Sequence, residues 1–121
     1  MVARRRKGTA TADAIGAGVE VVTLIGEFRQ RETRDLTREL RHALDQDEQH
    51  MVVDMRAVTF FSAPAVRVLV RAALRAGQLG MGFAIVRPPE DVWAGFELIG
   101  LDTQLPNRGT LEEALGVLPD W

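Results

Sequence analysis

Apolar positions along the chain fall into short β-branched runs separated by longer stretches of helical spacing. Val19-Glu20-Val21-Val22-Thr23-Leu24-Ile25 predicts a strand, which Gly26 ends. Before it, Gly8 to Ala17 alternates weakly, with Thr9, Thr11, Asp13 and Ile15 on one side and alanines on the other. This is at best an edge strand, joined into a hairpin by the turn Gly16-Ala17-Gly18. Glu27 to Glu32 reads as a charged connection and Thr33 as an N-cap, after which Leu36, Leu40, Ala43 and Leu44 predict an amphipathic helix to about Asp45. Met51-Val52-Val53-Asp54-Met55 has no polar face, the pattern of a strand buried on both sides between parallel neighbours. Val58-Thr59-Phe60-Phe61 is a further short apolar run.

Ser62-Ala63-Pro64 opens the next helix, with Val66, Leu69, Val70, Ala73 and Leu74 expected on one face and Gly77 and Gly80 closing it. Phe83 to Val86 is a strand. Pro88-Pro89-Glu90-Asp91 starts a helix that carries Val92, Phe96 and Ile99 and is capped by Gly100. Beyond a turn at Leu105-Pro106-Asn107, Thr110 to Leu118 predicts a last helix, with Thr110 and Glu113 as a capping box. This order of elements gives an α/β fold: a mixed, mainly parallel sheet of four to five strands covered by about four helices. The expected core holds Val21, Leu24, Val52, Val53 and Ile85, under helices bearing Leu36, Leu40, Leu69 and Val70. Residues 1–18 form a basic tail with an edge strand, and 19–121 the domain.

The 121 residues suit a single core, and 46% hydrophobic with 26% charged residues is the balance of a globular domain. Cysteine is absent, which excludes disulfides, thiolate metal sites and a thiol nucleophile. The net charge of −2 is unevenly spread. Arg4, Arg5, Arg6 and Lys7 take four of the 15 basic side chains, leaving 11 against 17 acidic ones in residues 8–121, a charge of −6. A duplex-binding face is not expected on such a body, so no direct nucleic-acid contact is expected beyond the tail. The small, polar segment after Lys7 is not the apolar core of a signal peptide, and no run reaches the ~18 apolar residues of a membrane span. The expectation is a cytoplasmic protein.

Catalytic and ligand-binding signals are sparse. His42 and His50 lack the spacing that places two metal ligands on one helical face, and the glycine clusters at 16–18 and 77–82 lack a phosphate-cradle pattern. Neither metal nor cofactor is expected. Asp54, at the end of a buried strand, could serve as an acid with Ser62, but no base stands at a defined spacing. Its plainer role is to hydrogen-bond the adjoining turn. Arg67, Arg71 and Arg75 recur one turn apart, either as a solvated ridge or as a docking edge for an acidic partner. Of Trp93 and Phe96, one belongs to the core and the other is left for contact.

Taken whole, Val52-Val53-Asp54-Met55-Arg56-Ala57-Val58-Thr59-Phe60-Phe61-Ser62-Ala63-Pro64-Ala65 resembles the central motif of the STAS family, the domain of bacterial anti-sigma factor antagonists. There a strand ending in aspartate leads to an Asp-Ser-Ser-Gly helix start. Gly26-Glu27-Phe28 resembles the family's Gly-Glu-Leu, Leu98 to Asp102 its Gly-Leu-Asp segment, and Thr110 to Leu115 its final helix. The resemblance spans roughly Val19 to Leu118.

It also carries departures. The family's phosphorylated serine aligns with Ala63, its aspartate with Ser62, the next serine with Pro64 and the glycine with Ala65. Arg29 stands where the loop after the first strand usually has aspartate. Alanine offers no phosphate acceptor, and Ser62, the remaining candidate, reads first as an N-cap. Pro64 fixes its own φ and biases residue 63 toward an extended conformation.

The resemblance implies a non-enzymatic interaction domain that binds an anti-sigma factor of the histidine-kinase-like ATPase fold, or a related regulator. The binding residues would be Gly26, Glu27, Arg29, Phe61, Ser62, Ala63, Pro64, Val66 and Arg67. Two alternatives stand beside it: an accessory subunit of another assembly, such as a lipid-transport ATPase or a stressosome-like complex, and a small enzyme using Asp54 and Ser62. Self-association is left open by the residues.

Overall fold

The computed structural model describes residues 7–15, 18–46, 48–98, 100 and the backbone of 107–108. The elements are β1 (Thr9–Ala14), β2 (Val19–Phe28), a 3-10 turn (Gln30–Glu32), α1 (Thr33–Leu44), β3 (His50–Phe61), α2 (Ala63–Gln78), β4 (Gly82–Val86), α3 (Glu90–Leu98) and β5 (Asn107–Arg108). They build one five-stranded sheet in which spatial order equals chain order. β1 runs antiparallel to β2 as a hairpin partner, and every later pairing is parallel. This is the mixed, mainly parallel α/β sheet that the strand–helix alternation predicts. Three α-helices lie among the described residues; the predicted Thr110–Leu118 helix falls outside them.

Alternation along β2 and β3 sorts the core into two faces. Val22, Leu24 and Phe28 join Met51, Val53 and Met55 under Leu36 and Leu40 of α1, Leu69 of α2 and Phe96 of α3. The three helices therefore share one face. On the other face Val19, Val21, Val52, Ala84 and Val86 form a second buried cluster. All five residues expected at the centre of the sheet are buried, whereas Val70 of α2 is half-buried.

Several boundaries differ from those the sequence predicts, each for a local reason. Gly26 does not end its strand. With φ at +96° it lets β2 bend and continue to Phe28, which absorbs the start of the predicted charged connection. The two apolar runs 51–55 and 58–61 are one strand, because β3 accommodates an extra residue against β2 at two bulges, between Thr23 and Ile25 and between Gly26 and Glu27. Thr33 is the first helical residue rather than the cap: its Oγ1 donates to the Gln30 carbonyl at 2.6 Å, stitching the 3-10 turn to α1.

On α2 the buried stripe is Ala65, Leu69, Ala72 and Ala76, and Leu74 is 52% exposed. This helix is apolar on several sides, so periodicity could not choose a face, and the sheet took the small residues that allow close approach. The predicted turn at Asn107 is instead a two-residue strand beside Ile85 and Val86, too short to leave a pattern. Gly100 does cap as expected, at φ +75° with its N–H donating to the Glu97 carbonyl at 3.1 Å.

Leu69 is fully buried in the main core. Truncating such a side chain costs about 2–5 kcal/mol, so Leu69→Ala should lower the thermal midpoint by roughly 10 °C or more, and Leu69→Asp should not fold. Circular dichroism melts check this, and an unchanged midpoint for either variant would place the α2 face elsewhere. Glu20 offers a second test. It is buried in β2, and burial, followed by the charge of Glu48, raises its carboxyl pKa; Asp13 adds to this and His42 opposes it. The folded protein thus keeps a proton on Glu20 that the unfolded chain has already released, and stability falls as pH rises through that interval. Glu20→Gln is expected to raise the midpoint at neutral pH and to match the wild type below about pH 4. Equal midpoints at neutral pH would show the carboxylate to be well solvated.

Candidate functional site

The carboxyl ends of β2 and β3 and the start of α2 meet at one end of the sheet, the end at which parallel α/β sheets place their ligands. Chain geometry brings them together. The Ser62 N–H donates to the Phe28 carbonyl at 2.8 Å, and the rings of Phe28 and Phe61 pack at 5.5 Å. This junction fixes where α2 begins. Ser62 is extended, at φ −69° and ψ 162°, and its Oγ accepts the Ala65 N–H at 3.3 Å as the N-cap. The extended residue ahead of the helix is therefore Ser62; Ala63 is already helical, with exposed Cβ, and Pro64 lies in the first turn. The bias that Pro64 imposes on its predecessor is overridden at Ala63 by the Ser62 cap.

Arg29 comes directly after β2 and turns across this end. Its guanidinium lies 4.7 Å from the Phe60 ring centroid and 3.6 Å from the Glu27 carboxylate. The Arg29 N–H donates to Glu32, a fully buried carboxylate that also accepts from Arg31, so the loop is held from both sides. Next to it, the Gly8 N–H donates to the Glu27 carbonyl at 2.8 Å. A Cβ at Gly8 would come within 2.5 Å of that oxygen, so glycine is required for the approach.

Of the residues singled out in the sequence, Glu27, Arg29, Ser62, Ala63, Pro64, Val66 and Arg67 lie at this end or on the first turns of α2, all at least partly exposed. Gly26 is buried within β2, and Phe61 is buried against Phe28. The exposed ring is Phe60, at 37%, which the sequence pattern alone does not single out. Its signal is the break in alternation at the second bulge, which leaves both Thr59 and Phe60 facing out. The first turn of α2 contains no acidic residue, and Arg67 stands exposed in its second turn.

The remaining candidates do not converge. Asp54 and Ser62 are separated by eight residues of one strand, a span of about 25 Å. Both oxygens of Asp54 are taken by Arg56, whose Nη2 donates at 2.7 Å and Nε at 3.0 Å, and the Arg56 N–H closes a further bond at 3.1 Å. The hydrogen bond to Asp54, then its charge, raises the Arg56 pKa still further. Asp54 therefore does bond to the chain just beyond it, here within a bulged strand rather than a turn. His42 is exposed on the last turn of α1, whereas His50 is buried in β3 on the second face of the sheet, with neither ring nitrogen partnered among the described residues. Among those residues no cluster of three metal-ligating side chains exists, and no helix is long and apolar enough to cross a membrane. Phe96 is fully buried and Trp93 half-buried, edge-to-face with it at 5.9 Å.

Comparison with solved structures finds the same fold. The chain superposes on an anti-sigma factor antagonist from Mycobacterium paratuberculosis with a TM-score of 0.83 and 24% identity, over 94% of this chain and 96% of that one. The Bacillus cell fate determinant SpoIIAA in its phosphorylated form gives a TM-score of 0.74 at 15% identity, over 89% and 97%. The murine anion transporter Slc26a9 gives 0.71 at 14% identity, over 91% of this chain and 22% of the transporter. No curated protein matches the sequence. A family model described as "Mlab, STAS domain" matches residues 12–112, and the chain belongs to the STAS domain family.

Proposed function

We propose that the chain is a non-enzymatic regulator that binds a protein partner through the end of the sheet where α2 begins, and that it does so without the family's serine phosphorylation switch. The partner class implied by the resemblance is an anti-sigma factor of the histidine-kinase-like ATPase fold, or a related regulator, met in the cytoplasm of a bacterium. Gly26 and Phe61 support the surface from beneath; Glu27, Arg29, Ser62, Ala63, Pro64, Val66 and Arg67 present it, joined by Phe60. In this reading residues 19–121 are the binding domain, and the basic residues at the start of the chain are not needed for it.

The observation that carries the proposal is the start of α2. By the resemblance the family's acceptor position falls on Ala63, which is the first helical residue and has no hydroxyl, and the hydroxyl next to it, on Ser62, serves as a cap. A phosphate would add about −1.5 to −2 charges at this point. Without an acceptor the surface keeps one charge state, so the partner is bound constitutively.

A second reading, an accessory STAS subunit of another assembly such as a lipid-transport ATPase or a stressosome-like complex, has support of its own. The matching family model is described by MlaB rather than by an antagonist, and the same fold forms 22% of a larger chain in Slc26a9.

Incubation with a cognate anti-sigma kinase and ATP, read by intact-mass spectrometry, is expected to leave the wild-type chain unmodified while co-purification with the kinase persists. Ala63→Ser alone should stay unmodified, since Pro64 keeps the helix start stiff. The four changes Ser62→Asp, Ala63→Ser, Pro64→Ser and Ala65→Gly together should accept one phosphate. Stoichiometric phosphate on Ser62 of the wild type would overturn the switch-free reading, and failure to bind any anti-sigma factor would favour the accessory-subunit one.

A further inference from the structure

A groove of about 360 Å³ runs between α1 and α2 and continues into a shallower depression, which shares Thr37, Arg41, Asp45, Val68 and Arg71 with it. Its walls are cationic. Arg34, Arg38 and Arg41 recur at i, i+4 and i+7 along α1, and Arg71 and Arg75 face them from α2; Asp45 is the one carboxylate among the lining residues. All five guanidinium side chains are exposed. Of these five, only Arg38 is ion-paired among the described residues, to Asp35 at 3.1 Å and to Glu39 at 3.9 Å. The floor is apolar, made by Leu40, Leu44, Val68 and Ala72, and Leu79, 48% exposed, extends it at one end.

On a body with excess negative charge, a lining of five arginines and one carboxylate, with four of the arginines outside any ion pair among the described residues, is a local inversion of sign. Arginines one helical turn apart repeat at about 5–6 Å, the spacing at which a second helix presents carboxylates at i and i+4. Guanidinium and carboxylate pair bidentately, and an apolar floor between the cationic rows matches the apolar stripe of such a helix. A nucleic-acid strand would satisfy the cations but leave that floor without a complement. We propose that the α1–α2 groove docks an acidic amphipathic helix of a partner protein. The site runs along the two helices and meets the start of α2 only at Pro64, and it does not depend on which partner binds there.

The test is fluorescence anisotropy with a labelled helical peptide of about 16 residues, carrying leucine at i, i+3, i+4 and i+7 and glutamate with alanine elsewhere. Binding is expected, weakened about tenfold or more by Arg41→Glu with Arg71→Glu, and unchanged by Arg87→Glu, which reverses one arginine in an exposed loop outside the groove. Arg41→Gln with Arg71→Gln, a milder pair at exposed positions, guards against misfolding of the reversal variant and should weaken binding in the same direction. Replacing the peptide's glutamates by glutamine, or its leucines by alanine, should each reduce affinity about tenfold. Equal binding by the glutamine peptide, equal weakening by Arg87→Glu, tighter binding of single-stranded DNA of matched charge, or no binding of the acidic peptide would each overturn the proposal.

Discussion

Parallel pairing of β2 with β3 is the constraint on which the molecule turns. It is the longest pairing in the sheet, it carries apolar side chains to both faces, and its register sets Phe28 opposite Phe61. That pair determines the Ser62–Phe28 backbone bond, the direction in which α2 leaves the sheet, and the position of Arg29 over Phe60. The candidate surface is thus the terminus of a strand pair, held by backbone geometry before any polar side chain contributes. The two bulges matter here, because β3 needs twelve residues to track ten of β2, and the surplus at its far end turns Phe60 outward.

Polar groups near the core are handled in different ways. Asp54 is satisfied locally by Arg56, a pair that spans the first bulge and neutralises a carboxylate on a buried strand. Glu32 is satisfied by the backbone and side chain of its own loop. Glu20 is buried and in addition meets further acidic charge, and so holds its proton more tightly than an exposed carboxylate would. The first two stabilise segments that frame the candidate surface, whereas Glu20 lies at the opposite end of β2, where its electrostatics do not reach that surface.

Much of the fold is legible in the residues. Valine-rich runs mark β2 and β3, Leu36 and Leu40 give α1 the correct face, and glycines end α2 and α3 where expected. The resemblance in residues 52–65 locates the helix start that frames the candidate surface. What the residues conceal is whatever depends on two elements at once. Bulges are defined by the partner strand, so the exchange of roles between Phe60 and Phe61 has no signature in β3 alone. The face of α2 is hidden because alanine, valine and leucine lie all around it. The cationic groove needs α1 and α2 side by side, so Arg71 and Arg75 can be read from the sequence only as a ridge on one helix, without the rows of Arg34, Arg38 and Arg41 opposite them.

Because strand order across the sheet is also strand order along the chain, each parallel strand is laid against the one synthesised just before it. A nascent chain on the ribosome can complete the β1–β2 hairpin, add α1 and β3, and then α2 and β4, without inserting a late strand between two early ones. Contacts across the sheet therefore span modest loops, whose closure entropy grows only slowly with length. The cost of this order falls on the intermediates. A chain halted after α2 would display the edge of β3 at His50–Asp54, which β4 pairs in the finished protein and which is rich in valine and methionine, as an open template for another molecule. Speed of translation through residues 62–86 thus bears on aggregation in a way that the stability of the finished domain does not reveal.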